Sequence, residues 1–352
     1  MQYQKISYPI QQLTTGETLS VHVYTFVGSL PGPVVYLQGN LHGPELFGTA
    51  LLGKLIEHLE QLDDISGTVI IVPCANPVGV QTLGYNGHVG RWNSSSGINW
   101  NRIFTVNITW NTAQEQLKYY RTQLEHEHIS IEERLAATLR MLSTSATHVI
   151  DIHTTGAASI PHLFTYARSL TIFSCLETSL AILLSRKEVV GAFDESHVTP
   201  WSSNFLEEKL PHVCTWEVHC HNDINDAVLE IRLEQLKHCL NMLWKHKDHI
   251  HDAQLTMPIA ATKELGAPVA GYYTWLVNVG AVVRKGDIYA SIYQPWQQKT
   301  VHAIASEDMM IIGKYGLGAV GSGERIAFVG VLLWFDTFCS IFISAVIKNH
   351  CE

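Results

Sequence analysis

The sequence predicts an α/β protein in which a sheet is flanked by helices, followed by a small all-β domain. Over the first two thirds of the 352 residues, strand-like apolar runs alternate with stretches of helical spacing. Beyond Gln254 the chain changes to short β-branched and aromatic runs separated by glycines. We therefore expect an α/β domain at residues 1–253, a β domain at residues 254–328 and an apolar terminal extension at residues 329–352.

The predicted elements follow the hydrophobic pattern in chain order. The strand candidates are Val34–Leu37, Thr68–Val72, His148–Ile152 and Val213–Val218. The helix candidates are Glu45–Leu62, Ser130–Leu142, Ile172–Arg186 and Asp226–Lys245. The segment Leu236–His251, which ends in mixed charges, supplies the end of the last helix and the linker to the β domain.

Composition excludes several classes of partner. Acidic residues outnumber basic ones by 32 to 23, and no Lys/Arg cluster occurs, which argues against nucleic acid or an anionic membrane as the main partner. A small molecule or a short peptide is the expected substrate class. The N-terminus lacks the pattern of a signal peptide, so we expect a cytoplasmic protein. The oligomeric state is left open, with a homo-oligomer as one option.

The cysteines and the C-terminal tail do not indicate a further site. The seven cysteines include no C-x-x-C pair, so reduced thiols are expected rather than a disulfide framework or a cysteine metal site. The tail from Ile326 to Val346 is apolar over about the length of a membrane span, but Asp336 interrupts it. We therefore favour a buried or disordered extension over a membrane anchor.

The strongest chemical signal is the run from Gly39 to Glu45, which places His42 and Glu45 three residues apart at a strand-to-helix junction. Open α/β sheets place their chemistry at such junctions. A catalytic zinc takes three His, Glu or Asp ligands and keeps one position for water. The third ligand is predicted at His153, because an apolar strand ends there in Asp-x-His. An isolated H-x-x-E is more often structural, but two matched strand ends favour one bound Zn²⁺.

Two further carboxylates complete the predicted site. Asp151 lies two residues before His153, hence on the same strand face, and could orient a ligand from the second shell. Glu217 lies in an apolar strand, where a carboxylate is costly to bury without a partner. We assign Glu217 as general base and then as acid to the leaving nitrogen. His219 shares its predicted face.

Two arginines between these elements suit a carboxylate-bearing substrate. Arginine binds a carboxylate with two parallel hydrogen bonds, and a second guanidinium can stabilise a developing oxyanion. Arg102 with Asn101 suits the carboxylate, and Arg91 suits the oxyanion. Taken alone, the Asn-x-Asn-Arg motif is more often a polar turn.

These residues resemble the succinylglutamate desuccinylase/aspartoacylase family, a branch of the zinc carboxypeptidase superfamily. The resemblance runs to about residue 328 through Gly-Asn-Leu-His-Gly-Pro-Glu (39–45), Asn-Pro-Val-Gly (76–79), Arg91, Asn-Trp-Asn-Arg-Ile-Phe (99–104), Asp-Ile-His (151–153) and Trp-Glu-Val (216–218). It implies a mixed, mostly parallel sheet between helices and a C-terminal, lipoyl-like β barrel that narrows access to the site.

The same resemblance implies specific roles. One zinc is held by His42, Glu45 and His153, with Glu217 as base, while the substrate pocket is lined by Arg91, Asn101 and Arg102. Relatives remove an acyl group from a small N-acylated amino acid. The related carboxypeptidases release a C-terminal residue from a peptide, and Arg102 would also suit that alternative.

Two departures from the family pattern limit the transfer. His219 stands where relatives often have glycine; we include it among the substrate-binding candidates, with tuning of the base and filling of space as alternatives. No arginine occurs between Arg186 and Arg232, where aspartoacylase has a substrate-binding arginine. Aspartoacylase specificity is therefore not implied, and the chain fits a broad bacterial branch better. A carrier role is disfavoured because the predicted hairpin at residues 306–310 lacks a lysine.

Overall fold

The computed structural model describes residues 1–332, apart from residues 86, 177, 179, 187–188, 202–208, 222, 246–256, 260 and 317. The predicted domain boundary at residues 253 and 254 lies outside the described residues, as does the apolar extension beyond residue 332. No helix in the described part is long and apolar enough to cross a membrane.

The described strands are β1 (Gln2–Gln12), β2 (Thr18–Val27), β3 (Leu30–Gly39), β4 (Ser66–Val72), β5 (Leu83–Gly84), β6 (Gly87–His88), β7 (His148–His153), β8 (Ala158–Ser159), β9 (His162–Thr165), β10 (Leu180–Leu183), β11 (His212–Glu217), β12 (Met257–Ile259), β13 (Thr262–Gly266), β14 (Gly271–Trp275), β15 (Val282–Val283), β16 (Ile288–Gln294), β17 (Lys299–Ile304), β18 (Met309–Lys314), β19 (Ala319–Val320) and β20 (Arg325–Val331). The α-helices are α1 (Phe47–Glu60), α2 (Pro77–Gln81), α3 (Ala113–Glu125), α4 (Ile131–Ser143), α5 (Ala167–Phe173) and α6 (Asp226–Trp244). Short 3-10 helices occupy Trp100–Arg102, Ser174–Leu176 and Glu195–His197.

A large mixed sheet organises the first part of the chain and confirms the predicted α/β class. Its order is β1-β2-β4-β3-β7-β11-β9-β10-β12. The pairs β4/β3, β3/β7, β7/β11, β9/β10 and β10/β12 are parallel, while β1/β2, β2/β4 and β11/β9 are antiparallel. The three central strands β3, β7 and β11 therefore run in one direction and end at the same edge of the sheet.

Apolar side chains cover both faces of this sheet. Val35 and Leu37 of β3 pack in a core with residues of α1 and α6. Tyr36, which lies between them and points to the opposite face, packs in a second core with residues of α4 and of the 100–110 and 193–201 segments. The start of α4, on this second face, is capped locally, because Ser130 and Glu133 form a capping box there.

The predicted helix Ile172–Arg186 is wrong. The helix α5 ends at Phe173, and the buried run Leu180–Leu183 forms strand β10 of the large sheet. A short apolar run that is buried on both faces shows no hydrophobic periodicity that would distinguish a strand from a helix. Here the run becomes a strand because it pairs with β9 and β12. Among the longer elements, β1, β2, β9 and α3 also differ from the prediction, because the hydrophobic pattern indicated no element there. The other strand and helix predictions coincide with observed elements to within a few residues.

The strands after Thr262 form two antiparallel sheets, of order β13-β20-β18-β15 and β17-β16-β14-β19. Apolar residues of both sheets share one core. Strand β8 pairs with β18, so these sheets contact the first part of the chain directly. Strand β12 belongs to the large sheet, and β20 continues to Val331, three residues past the predicted end at Phe328.

Three glycines bring the loop after β3, the helix α2 and the segment before Arg91 into close contact. The Gly43 amide donates to the Gly90 carbonyl oxygen at 2.8 Å. A Cβ atom added to Gly43 or to Gly90 would collide with the carbonyl oxygen of Gly79. Only glycine permits two backbone segments to approach this closely. These positions therefore hold the motif at residues 39–45 against the motif at residues 76–79.

We predict that Gly90→Ala lowers the free energy of unfolding by at least about 1–3 kcal/mol, because the added methyl group displaces the backbone of Gly79. The matched control is Gly53→Ala inside α1, where an added Cβ meets no atom within 4 Å. This change should instead stabilise the protein by about 0.5–1 kcal/mol through helix propensity. Denaturant unfolding measures both, and equal stability of Gly90→Ala and wild type would refute the close-packing argument.

A buried histidine makes the fold sensitive to acid. His162 is completely buried, and its Nδ1 lies 2.9 Å from the Ile160 carbonyl oxygen, while Nε2 has no partner among the described residues. Burial lowers the pKa of His162 to about 4. The neutral ring therefore contributes stability that is complete above an unfolded-state pKa of about 6.5 and is lost as pH falls toward 4.

We predict that His162→Gln flattens the pH dependence of the free energy of unfolding between pH 6.5 and 4, by up to about 3 kcal/mol across that range. Denaturant unfolding at several pH values checks this. The exposed His128 provides the control, because His128→Gln should leave the profile unchanged. A His162→Gln profile parallel to that of wild type would contradict the prediction.

Candidate active site

The predicted site residues come together at the carboxyl edge of the central strands. His42 and Glu45 lie in the turn between β3 and α1, and His153 and Glu217 are the last residues of β7 and β11. His153 and Glu217 are direct register partners in this parallel pair. The alignment of strand ends thus places side chains from three distant parts of the sequence beside one another.

The turn that carries His42 is held by its own backbone and by one asparagine. Asn40 adopts a left-handed conformation with φ of 58°, which asparagine tolerates better than most residues. Its Nδ2 donates to the carbonyl oxygens of His42 at 2.8 Å and Gly43 at 3.2 Å. The Glu45 amide donates to the His42 carbonyl oxygen at 3.1 Å, so His42 and Glu45 project from one tight turn.

The two imidazoles converge on the Glu45 carboxylate. The Nδ1 atom of His42 lies 2.9 Å from Glu45 Oε1, and the Nδ1 atom of His153 lies 2.9 Å from Glu45 Oε2. One potential ligand atom from each of the three residues lies within 4.8 Å of the others, and all three side chains are buried.

The outer ring nitrogens indicate that this cluster fits a divalent cation. His42 Nε2 lies 3.0 Å from Asn99 Oδ1, and His153 Nε2 lies 2.9 Å from Asp151 Oδ2. These oxygens accept a hydrogen bond from Nε2 of each ring, so a ring that gives up its Nδ1 proton turns a lone pair toward Glu45. Two lone pairs and a carboxylate that face each other repel unless a cation lies between them, and His/Glu/His is a donor set that zinc accepts.

The metal-free cluster is held by protons whose place a divalent cation would take. Burial opposes protonation of His153, but the carboxylates of Asp151 and Glu45 outweigh it and raise the pKa of that ring well above its usual range. Burial lowers the pKa of His42. Burial opposes ionisation of Glu45, but the rings of His42 and His153 outweigh it and hold the pKa of that carboxyl well below its usual range. Thr154 adds a backbone amide at 3.2 Å from Glu45 Oε2.

Arg91 lies against the same cluster. Its Nη1 donates to Glu45 Oε1 at 2.8 Å and lies 3.4 Å from His42 Nδ1. The guanidinium is partly exposed and also faces the cavity in front of the cluster. This places a fixed positive charge between the cluster and the cavity.

Glu217 faces the same cavity from the adjacent strand. Its Oε2 atom is buried and has no hydrogen-bonding partner among the described residues. Burial raises the pKa of Glu217 to about 7, against the opposing effect of the His153 ring. A carboxyl group with a pKa near neutrality can both accept and donate a proton, which is what general acid–base chemistry requires.

Asn101 and Arg102 line the cavity as the sequence predicted. Asn101 Oδ1 accepts a hydrogen bond from the Phe193 amide at 2.8 Å, so this side chain anchors the wall formed by the 190–197 segment. Arg102 is exposed toward the cavity, and its Nη1 donates to the Asn101 carbonyl oxygen at 2.5 Å. Its guanidinium remains accessible to a carboxylate.

His219 is not brought to the cavity. Strand β11 ends at Glu217, so the alternation that should have turned His219 toward the site does not extend that far. Its ring packs 5.4 Å from the ring of Phe47, and its Nε2 lies 3.3 Å from Asp223 Oδ2.

The neighbouring His221 was missed and lines the cavity instead. Its Nε2 accepts from the Gly156 amide at 3.2 Å, which leaves the proton on Nδ1 for donation to Thr154 Oγ1 at 2.7 Å. His221 therefore supports the loop whose amide reaches Glu45. The run His219-Cys220-His221 offered both rings, and only the position of the strand end distinguishes them.

Further cavity residues carried little signal in the sequence. Asn99 belongs to the Asn-x-Asn-Arg motif, which by itself does not indicate the contact of its Oδ1 with His42 Nε2. Asp194 is buried, and burial together with the carboxylates of Asp151 and Glu195 raises its pKa to about 6. Tyr315, from the segment between β18 and β19, donates to Glu264 at 2.9 Å. These residues lie in loops or in strands far along the chain, where no local motif identifies them.

The cavity that joins these groups has a volume of about 690 Å³. Its lining includes His42 and His153 of the cluster together with Glu217. The C-terminal part of the chain contributes an outer wall with Glu264, Tyr315, Arg325 and Phe328. Cavities of this size hold small molecules rather than folded proteins.

Comparison with known proteins agrees with this architecture. Residues 31–218 match the model of the succinylglutamate desuccinylase/aspartoacylase catalytic domain. No curated protein sequence matches the chain at a significant level.

Solved structures share the fold over nearly the whole chain. A protein assigned to succinylglutamate desuccinylase/aspartoacylase from Shewanella frigidimarina NCIMB 400 is 23% identical with a TM-score of 0.83, over 94% of this chain and 97% of that one. A family protein from Shewanella amazonensis SB2B is 22% identical with a TM-score of 0.82, over 93% and 98%. The product-bound ectoine utilization protein EutE (DoeB) from Ruegeria pomeroyi is 18% identical with a TM-score of 0.70, over 94% and 95%.

The catalytic-domain match covers more than half of the chain and spans all the residues of the candidate metal cluster together with Glu217. The chain therefore belongs to the succinylglutamate desuccinylase/aspartoacylase family.

Proposed function

We propose that this protein is a zinc-dependent hydrolase that cleaves the amide bond of a small N-acyl amino acid. The observation that carries the proposal is the convergence of the two Nδ1 atoms on Glu45, with a Glu217 carboxylate oxygen at the same cavity that has no hydrogen-bonding partner among the described residues. Membership of a deacylase family supports an enzyme of this type. One zinc per chain would be held by His42, Glu45 and His153.

The residues around the cluster suggest a division of labour. Zinc, when bound there, supplies Lewis-acid activation of water and of the scissile carbonyl. Glu217 accepts a proton from the attacking water and delivers it to the leaving nitrogen. Arg91 donates hydrogen bonds to the carbonyl oxygen as negative charge builds on it. Asp151 holds the His153 ring from behind.

The substrate carboxylate would bind at Arg102, with Asn101 fixing the wall behind it. Arginine suits this task because its planar guanidinium forms two parallel hydrogen bonds to a carboxylate. The C-terminal strands close the outer side of the cavity, and we propose that they act as the β domain that limits access. A cytoplasmic location and a small-molecule substrate are part of the same proposal. We do not include His219 among the substrate-binding residues, because it does not line the cavity.

A metallocarboxypeptidase is the second candidate, because Arg102 would hold the terminal carboxylate of a short peptide equally well. The cavity wall at Arg102 and Asn101 would bind the carboxylate of either substrate, so it favours neither activity. The outer wall, which includes Glu264, Tyr315 and Phe328, favours the smaller substrate, because a peptide would have to extend past these residues.

We predict that the protein hydrolyses at least one member of a panel of N-acyl amino acids, that chelation abolishes the activity and that Zn²⁺ restores it. Release of the free amine measures turnover. The same preparation tested on short peptides with free C-termini should be slower on every peptide. Faster peptide cleavage would favour the carboxypeptidase, and metal-loaded protein without turnover on any N-acyl amino acid would refute the deacylase proposal.

We predict that Glu217→Gln retains zinc but loses roughly 10²–10⁴-fold in turnover, because the amide cannot transfer the proton. Metal content and steady-state kinetics are measured on the same sample. Glu57→Gln, at an exposed position of α1, provides a matched change that should leave both unaffected. Full activity of Glu217→Gln would exclude it as the base, and His221 would then be the next candidate on the cavity wall.

A further inference from the structure

A continuous row of buried polar side chains extends from His153 into the centre of the large sheet. It consists of His153, Asp151, Gln38 and Tyr36, of which His153 is 3% exposed and the other three are completely buried. We infer that Gln38 and Tyr36 are positioning residues of the metal centre, which act on it through Asp151. The inference rests on the proposed metal-dependent function.

The sheet register creates this row. Tyr36 and Gln38 are alternate residues of β3 and therefore share a face. Gln38 is the direct register partner of Asp151 on β7, and Asp151 shares its own face with His153. Side chains on neighbouring parallel strands are thus aligned across the sheet and then along β7 to the site.

The hydrogen bonds in the row have a defined direction. The Tyr36 hydroxyl donates to Gln38 Oε1 at 2.9 Å, and Gln38 Nε2 donates to Asp151 Oδ1 at 3.0 Å. The second oxygen, Asp151 Oδ2, lies 2.9 Å from His153 Nε2 and accepts from it. This order fixes the orientation of the Gln38 amide, then that of the Asp151 carboxylate, and finally the tautomer that leaves His153 Nδ1 free to bind a metal.

Asp151 depends on Gln38 because its other neighbour is engaged elsewhere. Thr215 is the register partner of Asp151 on β11, but its hydroxyl donates to Asp194 Oδ2 at 3.1 Å. A buried carboxylate needs donors at both oxygens to remain oriented. Tyr36 remains a donor, since burial and the Asp151 charge raise the pKa of its hydroxyl well above the usual range.

The test measures zinc affinity of the full-length apo protein by competition with a chromophoric chelator. Gln38→Met keeps the length of the side chain and removes both amide groups, and it should weaken Zn²⁺ binding by roughly 10- to 100-fold. Tyr36→Phe removes one neutral hydrogen bond and should weaken it by roughly 2- to 10-fold. The visible spectrum of the Co²⁺-loaded variants should also change, because the His153 ring is less firmly oriented.

The matched control is Gln116→Met. Gln116 lies on α3, is 1% exposed and undergoes the same chemical change outside the row. Its Zn²⁺ affinity should stay within about twofold of wild type, as expected for sites that do not share partners. Far-UV circular dichroism of each apo variant confirms that affinity is compared between folded proteins, and Tyr36→Phe keeps the test available if Gln38→Met does not fold.

A double-mutant cycle separates positioning from general destabilisation. If Gln38 acts through Asp151, Gln38→Met should change Zn²⁺ affinity by no more than about twofold in an Asp151→Ala background. Unchanged affinity of Gln38→Met and Tyr36→Phe, or an equal loss with and without Asp151, would overturn the inference.

These outcomes are independent of the substrate. Zinc affinity that responds as expected in a protein without deacylase activity would retain the row and reject the proposed hydrolysis. If the wild-type protein is an active deacylase but Gln38→Met and Tyr36→Phe bind Zn²⁺ with normal affinity, the proposed hydrolysis is retained and the positioning role of the row is rejected.

Discussion

The architecture of the site depends on one buried charge, the carboxylate of Glu45. This side chain is 1% exposed, and a buried carboxylate is stable only where cations and hydrogen-bond donors surround it. His42, His153, Arg91 and the Thr154 amide provide that surrounding from three different parts of the chain. The parallel ends of β3 and β7 and the close contact of Gly43, Gly79 and Gly90 are what bring these groups within reach.

A second consequence is that polar groups must continue behind the cluster. Each imidazole that turns Nδ1 toward Glu45 needs an acceptor for Nε2, and Asn99 and Asp151 meet that need. Asp151 in turn lies in the middle of an apolar sheet and requires its own donors. Each buried polar group in this sheet therefore needs a hydrogen-bonding partner behind it, from the candidate metal cluster to Tyr36.

Much of this site could be predicted from the sequence because its chemistry sits in short motifs at strand ends. His42, Glu45, Asp151, His153 and Glu217 all follow or end apolar runs that are recognisable as strands. His219 and His221 could not be separated in this way, because the choice depends on the residue at which β11 ends. The sequence does not distinguish the strand Leu180–Leu183 from a helix, because burial on both faces removes the periodic signal. The resemblance places a β barrel beside the site, but no local motif identifies its cavity residues Glu264, Tyr315, Arg325 and Phe328.

The central claim is that Nδ1 of His42, Nδ1 of His153 and the Glu45 carboxylate bind one zinc ion together. Anomalous diffraction at the zinc edge from crystals of the metal-loaded protein tests it directly. We expect a single strong peak about 2.0–2.2 Å from both Nδ1 atoms and from a carboxylate oxygen of Glu45, with both Nε2 atoms still hydrogen-bonded to Asn99 and Asp151. A peak bound through Nε2, or one located away from Glu45, would contradict it.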